Sequence, residues 1–297
     1  MSKFIISTDS CADLFKSDLA RLDVHCIIMK RVQNGREIGD LFDSEQEVDA
    51  FYEEIKHGAL PTTIALNPFE IKEYFKGILK QKPAGDLIHL TLSSGLSSTY
   101  ENARLVAEEL NETLSGRKIY VIDSLIATGG MAFLVQELTK MRDKGLTADA
   151  AVSETENIRA HLQSWIIVDN LKHLHRGGRV SKFSAAVGTM LNIKPIIVLS
   201  KTGHLAIENK IRTFQKSIAY IVGKMEKYGL GSDFSGQEVW IYQTSRNENT
   251  EVLKKAVRDK YPNANISIRR VGTVIGTHLG DGTVAMLFQG APRLDIR

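Results

Sequence analysis

The 297-residue chain has few of the residues that cross-link small proteins or anchor proteins in membranes. Its two cysteines, Cys11 and Cys26, are too few for a disulfide framework or a four-thiolate zinc site. No apolar run approaches the ~20 residues that a membrane helix needs, and polar residues interrupt the N-terminus too early for a signal peptide. The sequence therefore predicts a soluble cytoplasmic protein without stable membrane insertion.

Several catalytic motifs are also missing. The chain has no Gly-x-Ser-x-Gly elbow, no Gly-x-x-x-x-Gly-Lys-Ser/Thr phosphate loop, no Gly-x-Gly-x-x-Gly fingerprint and no His-Glu-x-x-His pair. His173 and His175 form a His-x-His pair, but the sequence marks no third metal ligand near them. We therefore expect no catalytic residue, metal or cofactor in this chain.

The chain as a whole has no large excess of positive or negative charge. It contains 38 basic and 35 acidic residues, and its net charge is only +3. This balance argues against a dedicated nucleic-acid binder. The charge is nevertheless unevenly distributed. A basic window at residues 171–216 contains nine basic side chains and one acidic side chain, Glu208. The basic residues are Lys172, Arg176, Arg179, Lys182, Lys194, Lys201, Lys210, Arg212 and Lys216. The window is either a solvated face or a docking patch for an acidic or phosphate-carrying partner. Phe183 and Phe214 are its only aromatics, which also disfavours nucleic acid.

Short apolar segments alternate with longer amphipathic ones, which is typical of α/β architecture. Strands are predicted at 3–7, 87–92, 118–122, 165–168, 195–199, 239–242 and 266–271, with a hairpin partner for the fifth at 205–209. Helices are predicted at 44–56, 68–80, 97–109, 127–144, 147–160, 213–227 and 248–260. The regular alternation changes near residue 160, so we predict two domains, 1–160 and 161–297.

Three predicted strands end in small hydroxylated segments, at residues 8–10, 93–95 and 123–124. Ligands of open parallel sheets bind beyond the carboxyl ends of the strands. The hydroxyls either cap the following helices or form a donor-rich cup that favours an anion. Pro61-Thr62-Thr63 adds a further hydroxyl pair in a predicted loop.

A glycine-dense segment at 272–282 surrounds His278. Four glycines in eleven residues indicate tight turns or close backbone approach. The imidazole is either structural or a hydrogen-bond donor to a carboxylate.

Seven short motifs occur in order across nearly the whole chain: TDSCADL at 8–14, PTT at 61–63, LSSGLS at 92–97, VIDS at 121–124, LKHLHRGGRVS at 171–181, LNIKP at 191–195 and IGTH at 275–278. Together they resemble the successive signatures of the DegV family. The resemblance implies an N-terminal parallel-sheet α/β domain and a C-terminal mixed α/β domain with a lipid tunnel between them.

The same resemblance implies a lipid carrier and not an enzyme. Such a carrier binds a long-chain fatty acid and presents its carboxylate to the ATP-binding subunit of a bacterial fatty-acid kinase, which forms an acyl phosphate for phospholipid synthesis. It implies that Thr62, Ser94 and His278 hold the carboxylate, and that Arg179 and Arg212 lie on the face that meets the kinase. The kinase would bring ATP and magnesium.

One segment departs from the family pattern. The family commonly continues Pro-Thr-Thr with Ser-Gln-Pro, whereas this chain has Ile64, Ala65 and Leu66 before Asn67-Pro68. Apolar side chains thus replace a hydroxyl and an amide near the expected ligand head. Two other functions stay open at this point: a small-molecule hydrolase or transferase using a serine and His278, and an anion sensor acting through the basic window.

Overall fold

The computed structural model describes residues 4–169, 171–179, 192–231 and 233–295, which form thirteen strands and ten helices. The strands are β1 (Ile5–Asp9), β2 (Val24–Ile27), β3 (Lys30–Gln33), β4 (Arg36–Gly39), β5 (Thr62–Ile64), β6 (Leu87–Thr91), β7 (Ile119–Asp123), β8 (Leu162–Ile167), β9 (Ile193–Leu199), β10 (Leu205–Arg212), β11 (Glu238–Gln243), β12 (Asn265–Arg270) and β13 (Val284–Gln289). The helices are α1 (Lys16–Leu22), α2 (Glu45–Lys56), α3 (Pro68–Gln81), α4 (Thr99–Asn111), α5 (Gly129–Asp143), α6 (Ala148–Ala160), α7 (Lys172–Arg176), α8 (Phe214–Tyr228), α9 (Glu248–Lys260) and α10 (Thr273–Leu279). Among these helices, none combines the length and the apolar character needed to cross a bilayer.

The N-terminal half is built on a four-stranded parallel sheet of order β2-β1-β6-β7. β1 and β6 are buried along their whole lengths, which is expected of central parallel strands covered on both faces. α5 packs against β1 and β6, while α4 and α6 pack against β6 and β7. The carboxyl ends of these strands therefore lie at one edge of the sheet.

The C-terminal half is built on a six-stranded mixed sheet of order β10-β9-β8-β13-β11-β12. Its neighbouring strands are antiparallel except for the parallel pair β11–β12. Trp165 and Ile167 of β8 lie in a core with residues of α8 and α9, whereas Leu162 and Ile166 lie in the larger core shared with the parallel sheet. The predicted α/β fold class, with a parallel and a mixed half, is confirmed. The predicted hairpin is also found, as β9–β10.

A small antiparallel sheet of order β4-β3-β5 is inserted in the chain between β2 and β6 of the parallel sheet. The prediction of a loop at residues 61–63 was wrong, because Thr62–Ile64 pairs with β3 as a strand. Three residues are too few for a periodic pattern to be recognised in the sequence. α2 packs near this sheet through a small apolar cluster of its own, which includes Phe51 and Tyr52.

The strands of the parallel sheet all end by residue 123, and those of the mixed sheet begin at residue 162. The largest apolar core takes residues from both halves, such as Leu134 of α5 and Leu287 of β13. The two sheets are thus joined by a shared interior. The predicted division at residue 160 stays a prediction.

The helices α3 and α2 begin in different ways. Asn67 accepts a hydrogen bond from the Glu70 amide at 3.0 Å, and the Glu70 carboxylate accepts one from the Asn67 amide at 3.1 Å, which forms a capping box. Ser44, which precedes α2, makes no cap bond with its side chain. Glu47 instead accepts from the Asp43 amide at 3.3 Å.

Candidate functional site

An apolar cavity lies where the two halves of the molecule meet, and its space together with the open solvent at its entrance comes to about 840 Å³. The loops at the carboxyl edge of the parallel sheet contribute Leu92, Leu96 and Ala127. The mixed sheet contributes one face, which includes Ile166, Leu199, Leu205 and Ala285, and α10 contributes Val274, Ile275 and His278. The wall therefore suits an apolar ligand.

A polar group stands where this cavity meets an outer groove that is also lined by Thr62 and Arg176. Thr63, Arg179 and His278 line both spaces. Thr63 Oγ1 lies 2.9 Å from His278 Nε2, at hydrogen-bond distance. Together, the hydroxyl, the imidazole and the guanidinium form the polar mouth of the cavity.

The glycines around His278 allow close packing of its ring and helix. A Cβ on Gly177 would lie 2.2 Å from His278 Nδ1, and one on Gly276 would lie 2.2 Å from the Tyr52 hydroxyl. The predicted close approach of the backbone is therefore confirmed. The segment also contains the short helix α10, which the sequence analysis did not predict.

The electrostatics of the mouth favour an anion. Burial and the neighbouring charges of Arg179 and Arg176 lower the pKa of His278 to about 4, so the imidazole is neutral at physiological pH. The Arg176 guanidinium donates to the carbonyl oxygens of Leu60 and Pro61, at 3.0 and 2.8 Å. Arg179 Nε donates to the Leu96 carbonyl at 3.2 Å. Two guanidinium groups are thus fixed at the cavity mouth.

α10 is anchored at the end opposite His278. Asp40 Oδ1 accepts hydrogen bonds from the Thr273 amide and hydroxyl, both at 2.8 Å, and from the Val274 amide at 3.2 Å. Arg31 of β3 donates to the Thr273 hydroxyl at 2.9 Å. Because Arg31 pairs with Thr63 across β3 and β5, one small sheet contacts both ends of α10.

The three hydroxylated loops converge as predicted, but their polar groups bond mainly to one another. The buried Asp9 carboxylate accepts from the Leu92 amide at 2.6 Å and the Cys11 amide at 3.0 Å. Asp123 accepts from the Ser94 amide at 3.1 Å and the Leu125 amide at 2.9 Å. These bonds link the ends of β1, β6 and β7, so the loops form a rigid support for the cavity.

The structure separates the residues predicted to hold a carboxylate. His278 lies at the mouth, whereas Thr62 is exposed and lines only the outer groove. Ser94 is exposed and is not part of the cavity wall. The neighbouring hydroxyls of Thr63 and Ser97 line the cavity instead. Neither Thr63 nor Ser97 was predicted to hold the carboxylate, although each lies within one of the seven motifs.

The basic window does not form one free surface. Lys194 pairs with Asp169 at 2.6 Å and Lys201 with Asp295 at 2.6 Å. Arg179 is exposed at the cavity mouth, and Arg212 is exposed at the end of the edge strand β10. Lys182, residues 180–181 of the fifth motif and Leu191 of the sixth lie outside the described residues. Within the described part of the chain, no group of three His, Cys, Asp or Glu side chains could hold a metal ion.

A family model described as an uncharacterised protein of the DegV family matches residues 3–290. The chain belongs to the DegV family. A DegV domain-containing protein of Clostridium perfringens is 34% identical over 290 residues, with 98% of each chain covered. The family resemblance seen in the sequence motifs is therefore confirmed.

Solved structures of DegV proteins have the same fold. A DegV lipid binding protein of Thermotoga maritima is 26% identical, and the match covers 99% of this chain and 100% of that one with a TM-score of 0.83. The DegV of Bacillus subtilis, described as a fatty acid binding protein, is 26% identical over 98% of this chain and 100% of that one, with a TM-score of 0.82.

Proposed function

We propose that this protein binds a long-chain fatty acid, with its hydrocarbon chain in the apolar cavity and its carboxylate at the mouth. The observation that carries the proposal is the polar group of Thr63, His278 and Arg179 at the end of an otherwise largely apolar cavity. Each buried methylene contributes about 0.8 kcal/mol, so the cavity supplies most of the affinity. The fatty-acid and lipid binding of the related DegV proteins supports the same ligand class.

The carboxylate needs hydrogen-bond donors because burying it unpaired is costly. The Thr63 hydroxyl, the His278 imidazole and the Arg179 guanidinium supply donors, and the adjacent charge of Arg176 adds attraction. We assign the head group to Thr63, His278 and Arg179, with Thr62 at the outer groove. Ser94 is not assigned a role in binding, because its side chain is outside the cavity wall.

Lipid extraction tests this function directly. Protein purified from bacteria and denatured for mass spectrometry should release a C14–C18 fatty acid in near-stoichiometric amount. Thr63→Val should lower the affinity for added palmitate about tenfold, since one hydrogen bond to a charged group is lost. The matched control is Thr62→Val, which should change the affinity less than twofold. Absence of any bound acid, together with no binding of added palmitate, would contradict the proposal.

We further propose that the protein is a carrier that presents the carboxylate to a separate ATP-dependent kinase in the cytoplasm, for acyl-phosphate formation and phospholipid synthesis. The outer groove supports this step, since it leads from the carboxylate site to the surface and is lined by Arg176 and Arg179. Arg212→Glu should abolish acyl-phosphate formation by the added kinase while palmitate stays bound. Loss of palmitate itself would show that Arg212 acts in lipid binding, contrary to the proposed docking role.

The geometry favours a carrier over a hydrolase or transferase. The group within hydrogen-bond distance of His278 is the Thr63 hydroxyl and not a serine. His278 Nδ1 is buried, and within the described part of the chain it has no hydrogen-bond partner that could orient it as a general base. Turnover of an ester by the protein alone, lost in His278→Ala, would overturn this assignment.

A further inference from the structure

Three hydroxyl groups in or beside the apolar cavity have no hydrogen-bond partner among the described residues. Thr128 and Ser164 are half-buried and line the cavity, and the hydroxyl of neither forms a hydrogen bond within the described part of the chain. The Tyr242 hydroxyl is fully buried, also lacks a partner there, and lies against Gly129, next to Thr128. A buried hydroxyl such as that of Tyr242 is normally paired, because an unpaired one is destabilising, and the hydroxyls of Thr128 and Ser164 are free to bond to a ligand in the cavity.

Thr128 differs from two other threonines that precede helices because its hydroxyl makes no cap bond. Thr147 and Thr213 use their hydroxyls to accept a hydrogen bond from the first turn of α6 and α8. Thr128 precedes α5 but makes no such bond, and its φ of 47° with ψ of −123° is strained for a β-branched residue. Its amide donates to the Cys11 carbonyl at 2.8 Å, which holds this conformation.

The sheet register places these hydroxyls on one side of the cavity. Tyr242, Ala285 and Ile166 are direct partners across β11, β13 and β8, and they share one face of the mixed sheet. Ser164 lies two residues from Ile166 on the same face. Thr128 and Ser164 line only the inner cavity, whereas His278 and Thr63 also line the outer groove. The unpaired hydroxyls are therefore separate from the head-group site.

We propose that Thr128 and Ser164, with Tyr242 behind them, form a second polar subsite that recognises an oxygen substituent on the acyl chain, so that the preferred ligand is a hydroxylated fatty acid. This inference rests on the proposed fatty-acid binding. A wholly apolar wall would reject a chain hydroxyl, since it would lose its hydrogen bonds to water. In this cavity, the hydroxyl of the acyl chain forms hydrogen bonds with the hydroxyls of Thr128 and Ser164.

The test measures dissociation constants for stearic acid and for a series of hydroxystearic acids whose hydroxyl positions run along the chain. At least one positional isomer should bind the wild-type protein about fivefold more tightly than stearic acid. Ser164→Ala should remove that preference, and stearic acid should bind this variant at least as tightly as it binds the wild-type protein, because no hydroxyl is then left unpaired against its chain. The control Ile166→Val should weaken both ligands equally.

Two results would overturn the subsite. If no isomer binds more tightly than stearic acid, the hydroxyls are satisfied by water and select no ligand. If Ser164→Ala keeps the preference, the chain hydroxyl is recognised elsewhere. Thr128→Val repeats the test at the strained position. If Thr128→Val fails to fold, Ser164→Ala alone decides the test. Failure of stearic acid itself to bind would instead refute fatty-acid binding.

Discussion

His278 is held neutral in a site that is built for an anion. Burial and the charges of Arg179 and Arg176 lower its pKa to about 4. A fatty-acid carboxylate would neutralise part of this positive field and would favour the protonated ring. Binding of a carboxylate at the mouth therefore increases the affinity of the imidazole for a proton.

We accordingly expect ligand binding to raise the pKa of His278. Imidazole resonances followed by NMR should titrate near pH 4 without ligand and at higher pH with bound palmitate. Because binding is then linked to proton uptake, affinity should rise as the pH falls through the pKa of the ligand-bound form toward the free value of about 4. An unchanged His278 titration at saturating palmitate would show that the carboxylate lies elsewhere. His89, which is buried in the parallel sheet, supplies the internal reference.

The contrast between Thr62 and Thr63 shows why the motif alone did not identify the mouth residues. Successive side chains of a strand point to opposite sides, and a shift of one residue reverses them. The pairing of Thr63 with Arg31 settles which hydroxyl faces His278. That pairing joins segments 32 positions apart, so the local sequence contains no signal for it.

At the scale of elements, long amphipathic helices and apolar strands were predictable because each carries its own periodic pattern. β13 was missed because it is the strand between β8 and β11, and both faces of Val284–Gln289 are covered. Its apolar run lacks an alternating pattern, and periodicity alone does not distinguish such a run from a buried helix segment. α10 was missed because its seven residues include Gly276 and because tertiary contacts stabilise it.

Gly276 should be required for the position of α10. A Cβ there would lie 2.2 Å from the Tyr52 hydroxyl, which donates to the Val271 carbonyl at 2.9 Å. We expect Gly276→Ala to lower the free energy of unfolding by roughly 1–3 kcal/mol through overpacking, and to weaken palmitate binding through displacement of His278. Urea denaturation and ligand titration measure the two effects.

Gly77 of α3 provides the matched control for Gly276. A Cβ there would meet no atom within 4 Å. Gly77→Ala should therefore increase stability by up to about 1 kcal/mol, since alanine favours helix more than glycine does, and should not affect the ligand. If both substitutions change stability in the same direction, contact between α2 and α10 is not the reason that glycine occupies position 276.

At the scale of the whole molecule, two buried groups in the parallel sheet give stability opposite dependences on pH. His89 of β6 lies near Ser7, with its Nδ1 2.7 Å from the Ser7 hydroxyl, and burial lowers its pKa to about 3. Asp9 of β1 has its pKa raised to about 6, mainly by burial. The unfolded values are about 6.5 for histidine and 3.9 for aspartate.

The direction of each dependence follows from which state binds the proton. As the pH falls from 6.5 toward 3, the unfolded chain protonates His89 while the folded protein does not, so this group makes folding less favourable by about 1.4 kcal/mol per pH unit. As the pH falls from about 6 toward 4, the folded protein protonates Asp9 before the unfolded chain does, so this group makes folding more favourable. The two contributions largely offset one another in the wild-type protein.

Single variants should separate these contributions. Relative to wild type, His89→Gln should gain stability as the pH is lowered from 6 to 4, whereas Asp9→Asn should lose stability over the same range. Urea denaturation at pH 7, 6, 5 and 4 gives both differences, each with a slope near 1.4 kcal/mol per pH unit. A pH-independent difference for His89→Gln would mean that the folded interior accepts the proton. Burial at the centre of the parallel sheet makes that outcome unfavourable, because His89 is fully enclosed and its Nε2 has no hydrogen-bond partner in the described part of the chain.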